Sequence, residues 1–250
     1  MEIDICIATK NSAKTLPKLL NKITVDNQNQ NHRILIADGD SDDNTIELVE
    51  KNTTCKIISY EDKSPEEALN KLLQFEPQNL KIIVGSDDWL SNEYIDVFEK
   101  EANKLIQKGV EKFILLPKFY KNIGSKYIGF NLPLPIFFLH LIGIGRGIGW
   151  GIYNSSGALP LLNEDIYIAT DYEFLLRCKI NKYLIKYVPC TYYHLKNGRS
   201  SKDWLIGVQE EKGIAQYYCK NIILKIMINL IFILKFSYKK LLFIKIRKNK

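Results

Sequence analysis

Histidine occurs three times and methionine twice in 250 residues, and the five cysteines, Cys6, Cys55, Cys178, Cys190 and Cys219, form no Cys-x-x-Cys pair. That scatter excludes a zinc module and a disulfide-stapled secreted fold, and predicts reduced thiols. No run reaches the roughly 18 uncharged apolar residues that a membrane-spanning helix needs; the stretch from Ile226 to Leu234 is too short. The first residues, MEIDICIATK, carry an acid where a secretory leader has its cationic start, and they read as a strand. No repeat of roughly 20–50 residues is present, which excludes solenoids and propellers. Acidic residues are missing from 220–250, which hold eight Lys and one Arg. That leaves 26 of the 35 basic residues against all 28 acidic ones in 1–219, so the net charge of +7 is a basic tail on a near-neutral body.

What is present is ordinary in bulk. Apolar residues make up 46% and charged residues 25%, values that exclude collagen-like and disordered chains. The tail interleaves its charge with Ile, Leu and Phe. Nucleic-acid arms rarely carry so much aliphatic surface. The pattern predicts one or more amphipathic basic helices on an anionic membrane surface, with no nucleic-acid partner; the alternative is a terminal helix folded back onto the body.

Along the first hundred residues, strand and helix patterns alternate. Apolar runs at 3–8, 32–37, 56–60 and 81–85 read as strands. Helical spacing at 13–23, 44–51 and 93–107, and the Ser64-Pro65-Glu66-Glu67 helix start, supply the crossovers. Alternation of this kind implies an α/β fold with one mixed, mostly parallel sheet flanked by helices. The second half is less regular. Residues 113–120 and 184–193 read as strands, 171–180 and 203–219 as helices, and 133–151 as an apolar, Gly-rich stretch.

In parallel sheets ligands bind beyond the carboxyl ends of the strands. Those ends here are 9–11, 38–43, 61–63 and 86–88, and three of the four carry carboxylates. Ser86-Asp87-Asp88 follows the apolar run KIIVG. Two adjacent carboxylates where a chain leaves the sheet can hold a divalent ion with positions open for phosphate oxygens. The plainer reading is a solvated turn that caps the next helix.

These segments resemble family 2 glycosyltransferases of the GT-A fold, the bacterial surface-polysaccharide type. The resemblance rests on Ile5 to Asn11, on Asp38-Gly39-Asp40-Ser41-Asp42-Asp43-Asn44-Thr45, on Glu61-Asp62-Lys63 with Ala68 and Asn70, on Ser86-Asp87-Asp88, and on Ala169 to Arg177. Gly198 and Ser200 resemble a later family loop, and the likeness extends over about residues 2–215. It implies that Thr9 and Asn11 line a nucleotide pocket, that Asp38 accepts a hydrogen bond from the base, and that Asp62 and Asp87 lie near the donor. Asp88 would ligate Mg²⁺ or Mn²⁺ on the diphosphate.

Asp171 has two readings. Thr170-Asp171-Tyr172-Glu173 has the form of a capping box, with Thr170 as N-cap and Glu173 reaching back. Yet Arg177 stands four residues after Glu173 and can pair with it. Positions 171 and 173 lie about 200° apart on a helix, so one of them faces the cleft. With Glu173 committed to Arg177, Asp171 is the general base implied by the resemblance. Alternating Gly143, Gly145, Gly147, Gly149 and Gly151 follow no strand and make no dinucleotide site. His32, His140 and His194 have no ligand spacing, and His194 is read as structural, with a phosphate contact as the alternative. Trp89, Trp150 and Trp204 are read as packing residues.

The expectation is a glycosyltransferase domain over 1–219, with a nucleotide-sugar half at 1–108 and an acceptor half at 109–219, followed by a membrane-associating tail at 220–250. It would move a sugar from a nucleoside diphosphate, UDP-linked, to a lipid-linked or growing glycan, with inversion, at the cytoplasmic face of the cell membrane. The alternatives are a nucleotidyltransferase, which would want a Gly-rich basic loop that 9–15 lacks, and a non-catalytic membrane-bound scaffold.

Overall fold

The computed structural model describes residues 1–26, 32–52, 54–123, 126–130, 148–194 and 203–248. Gly143, Gly145, Gly147, His140, Gly198 and Ser200 lie outside the described residues. The elements run β1 (Ile3–Thr9), α1 (Leu16–Asp26), β2 (His32–Asp38), α2 (Thr45–Glu50), β3 (Cys55–Ser59), α3 (Pro65–Gln74), β4 (Leu80–Gly85), β5 (Trp89–Leu90) and α4 (Tyr94–Gln107). They continue as β6 (Lys112–Ile123), β7 (Lys126–Phe130), β8 (Gly151–Asn154), α5 (Thr170–Ile180), β9 (Leu184–His194), α6 (Trp204–Tyr218) and α7 (Ile222–Lys248).

Among the described residues the strands make one sheet in the order β3-β2-β1-β4-β8-β6-β9-β5, with β7 on the side of β6. The first four are parallel, as the alternation predicts. Strand β8 runs antiparallel to both β4 and β6, and β9 runs parallel to β6. Two reversals therefore return β6 and β9 to the direction of β4. The carboxyl end of β9 reaches the same sheet edge as the carboxyl ends of β1 to β4.

Period-two alternation sorts the core. Ile3, Ile5, Ile7, Ile34, Ile36 and Ile82 point to one face, where α1 and α4 cover them. Cys6, Leu35, Ala37, Ile83 and Ile114 point to the other, under α3 and α5. With helices on both faces, β4 is buried at every position, which is why it reads as apolar apart from Lys81. Helix α3 starts as its sequence predicts. Ser64 Oγ accepts the Glu67 N–H at 3.0 Å, Pro65 opens the first turn, and the Glu67 carboxylate reaches back to the Lys63 N–H at 2.9 Å. The five cysteines are free, and burial pushes the thiols of Cys6, Cys178 and Cys190 up to about 12, so they are inert packing groups.

A third cluster joins α5 to the chain's C-terminal helices. Ala169, Tyr172 and Leu176 pack with Val208, Ala215 and Cys219, and Ile228 and Phe232 of α7 complete the cluster. Lys235 pairs with Glu211 of α6 at 2.5 Å. The first turns of α7 thus lie on the body, while Ile222, Ile223, Ile226, Leu230, Ile233 and Leu234 stay exposed.

At the amino end of the sheet, Asp4, Arg33 and Lys81 are neighbours in register on β1, β2 and β4. Lys81 Nζ lies 2.6 Å from Asp4 Oδ2 with both side chains fully buried, and Arg33 holds Oδ1 at 2.8 Å. Removing one partner of a buried pair strands the other charge. Asp4→Asn is expected to cost about 3–5 kcal/mol, read as a fall in the urea midpoint with unchanged slope.

Candidate active site

The loops after β1, β2, β3 and β4 are tied together by hydrogen bonds rather than merely adjacent. Thr9 and Asp38 are register partners at the ends of β1 and β2. The Asp62 N–H donates to the Asp38 carbonyl at 3.2 Å, and Gly39 N–H to the Thr9 carbonyl at 2.8 Å. Asp38 is fully buried, and its two oxygens accept the N–H and the O–H of Ser41 at 2.8 and 2.7 Å. Ser41 Oγ in turn accepts the Asn11 N–H at 2.8 Å, and Asn11 Oδ1 accepts the Asp42 N–H at 2.8 Å. Asn11 itself stands at φ 51°, the left-handed region that Asn tolerates. The Ser12 and Ser86 hydroxyls meet at 2.8 Å, which fastens the β1 loop to the Asp87–Asp88 loop.

Within this edge, the Thr9 hydroxyl is buried with no hydrogen-bond partner among the described residues. Asp62 is buried, accepts the Ser59 hydroxyl, and pairs with Lys71 at 2.6 Å. That pairing, with Glu67, holds the Lys71 ammonium above its ordinary range. Asp87 is half-buried. Asp88 has a fully buried side chain: Tyr192 donates its hydroxyl to Oδ2, and His194 Nδ1 lies 2.9 Å from Oδ1. Burial and the Asp88 charge push the Tyr192 phenol well above its usual value, so it remains a donor.

Asp171 occupies the first turn of α5, half-buried. The neighbouring Thr170 hydroxyl lies 3.5 Å from Glu66 Oε1, in the first turn of α3, just after Asp62 and Lys63. This contact brings the start of α5 to the carboxyl edge of the sheet. The capping box expected at Thr170 does not form. Ala169 is the N-cap and has no side-chain bond, while Thr170 donates back to the Ile166 carbonyl at 2.9 Å. Glu173 is taken up instead by Arg177, at 2.8 and 3.0 Å, and by the Tyr218 hydroxyl at 2.5 Å. The Glu173–Arg177 pair is the one its spacing predicts. The segment before α5 is gripped from several sides. Asn70 bonds both the N–H and the carbonyl of Leu162, Arg177 bonds the Leu161 carbonyl, and Glu210 of α6 accepts the N–H groups of Tyr167, Ile168 and Ala169 at 2.9, 2.8 and 3.0 Å.

Residues 4–110 match the sequence profile of glycosyl transferase family 2. That match spans β1 to α4, a little under half of the chain, and likens this part to family 2 glycosyltransferases. The chain's fold is also that of solved glycosyltransferases of low sequence identity. TarS 1–349 from S. aureus in complex with UDP-GlcNAc superposes with a TM-score of 0.62 at 18% identity, over 93% of this chain and 70% of that one. Mannosyltransferase PcManGT from Pyrobaculum calidifontis, in complex with GDP-Man and Mn²⁺, gives 0.61 at 13% identity, over 91% and 68%. Glucosyl-3-phosphoglycerate synthase from Mycobacterium tuberculosis, with Mn²⁺, UDP and phosphoglyceric acid, gives 0.61 at 12% identity, over 88% and 78%. The chain spans 39% of the length of the longer TarS structure. No curated protein sequence matches the chain.

Within the matched part, the sequence-predicted residues Thr9, Asn11, Asp38, Asp62, Asp87 and Asp88 fall on one sheet edge. Among the described residues, no three His, Cys, Asp or Glu side chains gather to hold a metal ion by themselves. Asp88 and His194 form a carboxylate–imidazole pair, and such a donor set suits a divalent ion whose remaining positions go to phosphate and water. His194, read from the sequence as structural with a phosphate contact as the alternative, thus stands at Asp88. The signal was present in β9, where Tyr192 and His194 alternate onto one face of a strand. Tyr192, Lys71 and Glu210 went unnoticed because nothing in their local sequence marks them.

Trp150 is a packing residue, buried and stacked on Phe174 at 4.8 Å. Removing the Glu210 carboxylate frees three amides at once. Glu210→Ala is expected to speed hydrogen exchange at Tyr167, Ile168 and Ala169 by more than about tenfold, while amides of β1 and β4 keep their protection.

Proposed function

We propose that this chain transfers a sugar from a nucleoside diphosphate, UDP-linked, to a hydroxyl of a lipid-linked or growing surface glycan, with inversion and with a divalent cation. The observation that carries this reading is the convergence of Thr9, Asn11, Asp38, Asp62, Asp87 and Asp88 on one sheet edge of a part that matches family 2, where Thr170, next to Asp171, meets Glu66 of α3. The buried Thr9 hydroxyl and the Asn11–Asp42 loop line the nucleotide side. Asp38 accepts a hydrogen bond from the base, with its carboxylate held in place by Ser41. Asp62 lies near the donor, and Asp87 near its ribose or sugar.

Asp88 and His194 would hold Mn²⁺ or Mg²⁺, which when bound neutralises the charge that develops on the leaving diphosphate. Asp171 accepts the proton of the acceptor hydroxyl as that oxygen bonds to the anomeric carbon. The bond from that carbon to the phosphate oxygen breaks, and the nucleoside diphosphate departs with the bonding pair. Attack from the face opposite the leaving group inverts the centre.

Two substitutions separate these roles. Asp88→Ala is expected to abolish transfer and the Mn²⁺-dependent part of UDP affinity. Asp171→Asn keeps shape and donor binding while transfer falls at least ~10²-fold, the scale of a lost general base. Wild-type turnover in Asp171→Asn, with Glu173→Gln folded but dead, would assign the base to the other carboxylate. Absence of Mn²⁺-dependent donor hydrolysis in the wild type would favour the scaffold.

The same reading places the protein peripherally on the cytoplasmic face of the membrane. Among the described residues no helix is long and apolar enough to cross a bilayer. Helix α7 buries Ile228 and Phe232 on the body and exposes Ile226, Leu230 and Leu234, on a segment with no acid and nine basic residues between 220 and 250. Lysines near an anionic surface contribute about 1 kcal/mol each, and apolar residues between them enter the headgroup boundary. The Ile226→Asp/Leu230→Asp variant is expected to keep its circular dichroism spectrum but stop sedimenting with anionic liposomes, and high salt should release part of the wild type. Wild-type protein that stays in the supernatant with those vesicles would remove the membrane from the account.

A further inference from the structure

The Asp88 carboxylate is set in a site built for it by residues that are remote in sequence. Tyr192 is fully buried, and its hydroxyl accepts the Gly85 N–H at 2.9 Å. A phenol has one hydrogen to give. With the backbone N–H already donating to that oxygen, the hydrogen goes to Asp88 Oδ2. Asp88 Oδ2 is thereby fixed, and Oδ1 is the oxygen beside His194. Phe119 stacks on both rings, 6.0 Å from Tyr192 and 6.1 Å from His194, and its register partner on β9 is Tyr192 itself.

Two glycines make the room. Gly149 stands at φ +104°, and a Cβ there would meet the Tyr192 ring at 2.5 Å. A Cβ on Gly85 would collide with Asp88 Oδ2. Tyr94 donates to the Gly149 carbonyl at 2.5 Å and holds that backbone against the ring. The arrangement has the form of an outer-shell donor that orients a ligating carboxylate.

We propose that Tyr192 is the positioning residue of the metal-holding carboxylate, locking the Asp88 plane so that Oδ1 is presented together with His194. The proposal rests on the reading of Asp88 as a metal ligand and adds the residue that sets its affinity. The ring packs the core, but the hydroxyl serves the ion.

Tyr192→Phe keeps the ring and deletes the hydroxyl. Mn²⁺ titrated into the UDP-bound protein, followed by the electron paramagnetic resonance of free Mn²⁺, is expected to bind about 10–100-fold more weakly in Tyr192→Phe. UDP affinity in EDTA stays unchanged. Mn²⁺ affinity within twofold of wild type would overturn the proposal. Asp88→Asn, measured alongside, separates the two levels. If Asp88→Asn loses Mn²⁺ and Tyr192→Phe does not, only the positioning role falls; if Asp88→Asn also keeps Mn²⁺, the metal reading falls with it.

Should Tyr192→Phe fail to fold, wild-type protein with ¹³C-labelled tyrosine rings gives the answer. Mg²⁺ added to the UDP complex is expected to shift the Tyr192 ring signals, assigned through their contacts with Phe119, and unmoved signals would overturn the proposal.

Discussion

The burial of the Asp88 carboxylate is the constraint around which the rest is arranged. A charge taken out of water must be matched by donors in fixed places. Here those donors come from the far half of the sheet, Tyr192 and His194 on β9, while Asp88 follows β4 in the near half. The two strand reversals through β8 and β6 are what bring β9 to that edge in the right direction. The mixed sheet thus assembles this edge from two halves that the sequence separates by about a hundred residues.

The wall opposite is built by a different logic. Helix α5 buries Tyr172 to Leu176 almost completely, and its entry is clamped by carboxylates and amides from α3, α5 and α6. Glu173, in the first turn, is consumed by Arg177 and Tyr218. Helix α7 then covers the outer side through Ile228 and Phe232. The helix that carries Asp171 and the helix that exposes apolar surface share one cluster, so a surface that binds α7 bears on the same unit that presents Asp171.

The near half of this protein was legible in its sequence because its signals are local. Four apolar runs, a Ser-Pro-Glu-Glu helix start and carboxylates at strand ends are each read within ten residues, and the structure places them on one edge. The Glu173–Arg177 pair was legible for the same reason, since four residues make one helical turn. Thr170 misled because its hydroxyl had a competing acceptor, the Ile166 carbonyl, that its own sequence does not display. The pairing of His194 with Asp88 was not legible, because spacing along the chain does not display a partner that lies across the sheet. The packing of α7 depends on which side of an evenly apolar helix meets Tyr172 and Leu176, and apolar residues all round give no such direction.

The measurement that bears most directly on the account is thermal denaturation of the wild-type chain against UDP, GDP and CDP and their sugar conjugates, with Mn²⁺ and with EDTA. A uridine diphosphate or its sugar conjugate should raise the midpoint by several degrees with Mn²⁺, and by much less with EDTA, because ligand bound only by the native state stabilises it by mass action. No shift with any nucleoside diphosphate, or the same shift in EDTA as in Mn²⁺, would contradict a metal-assisted donor site at Asp88.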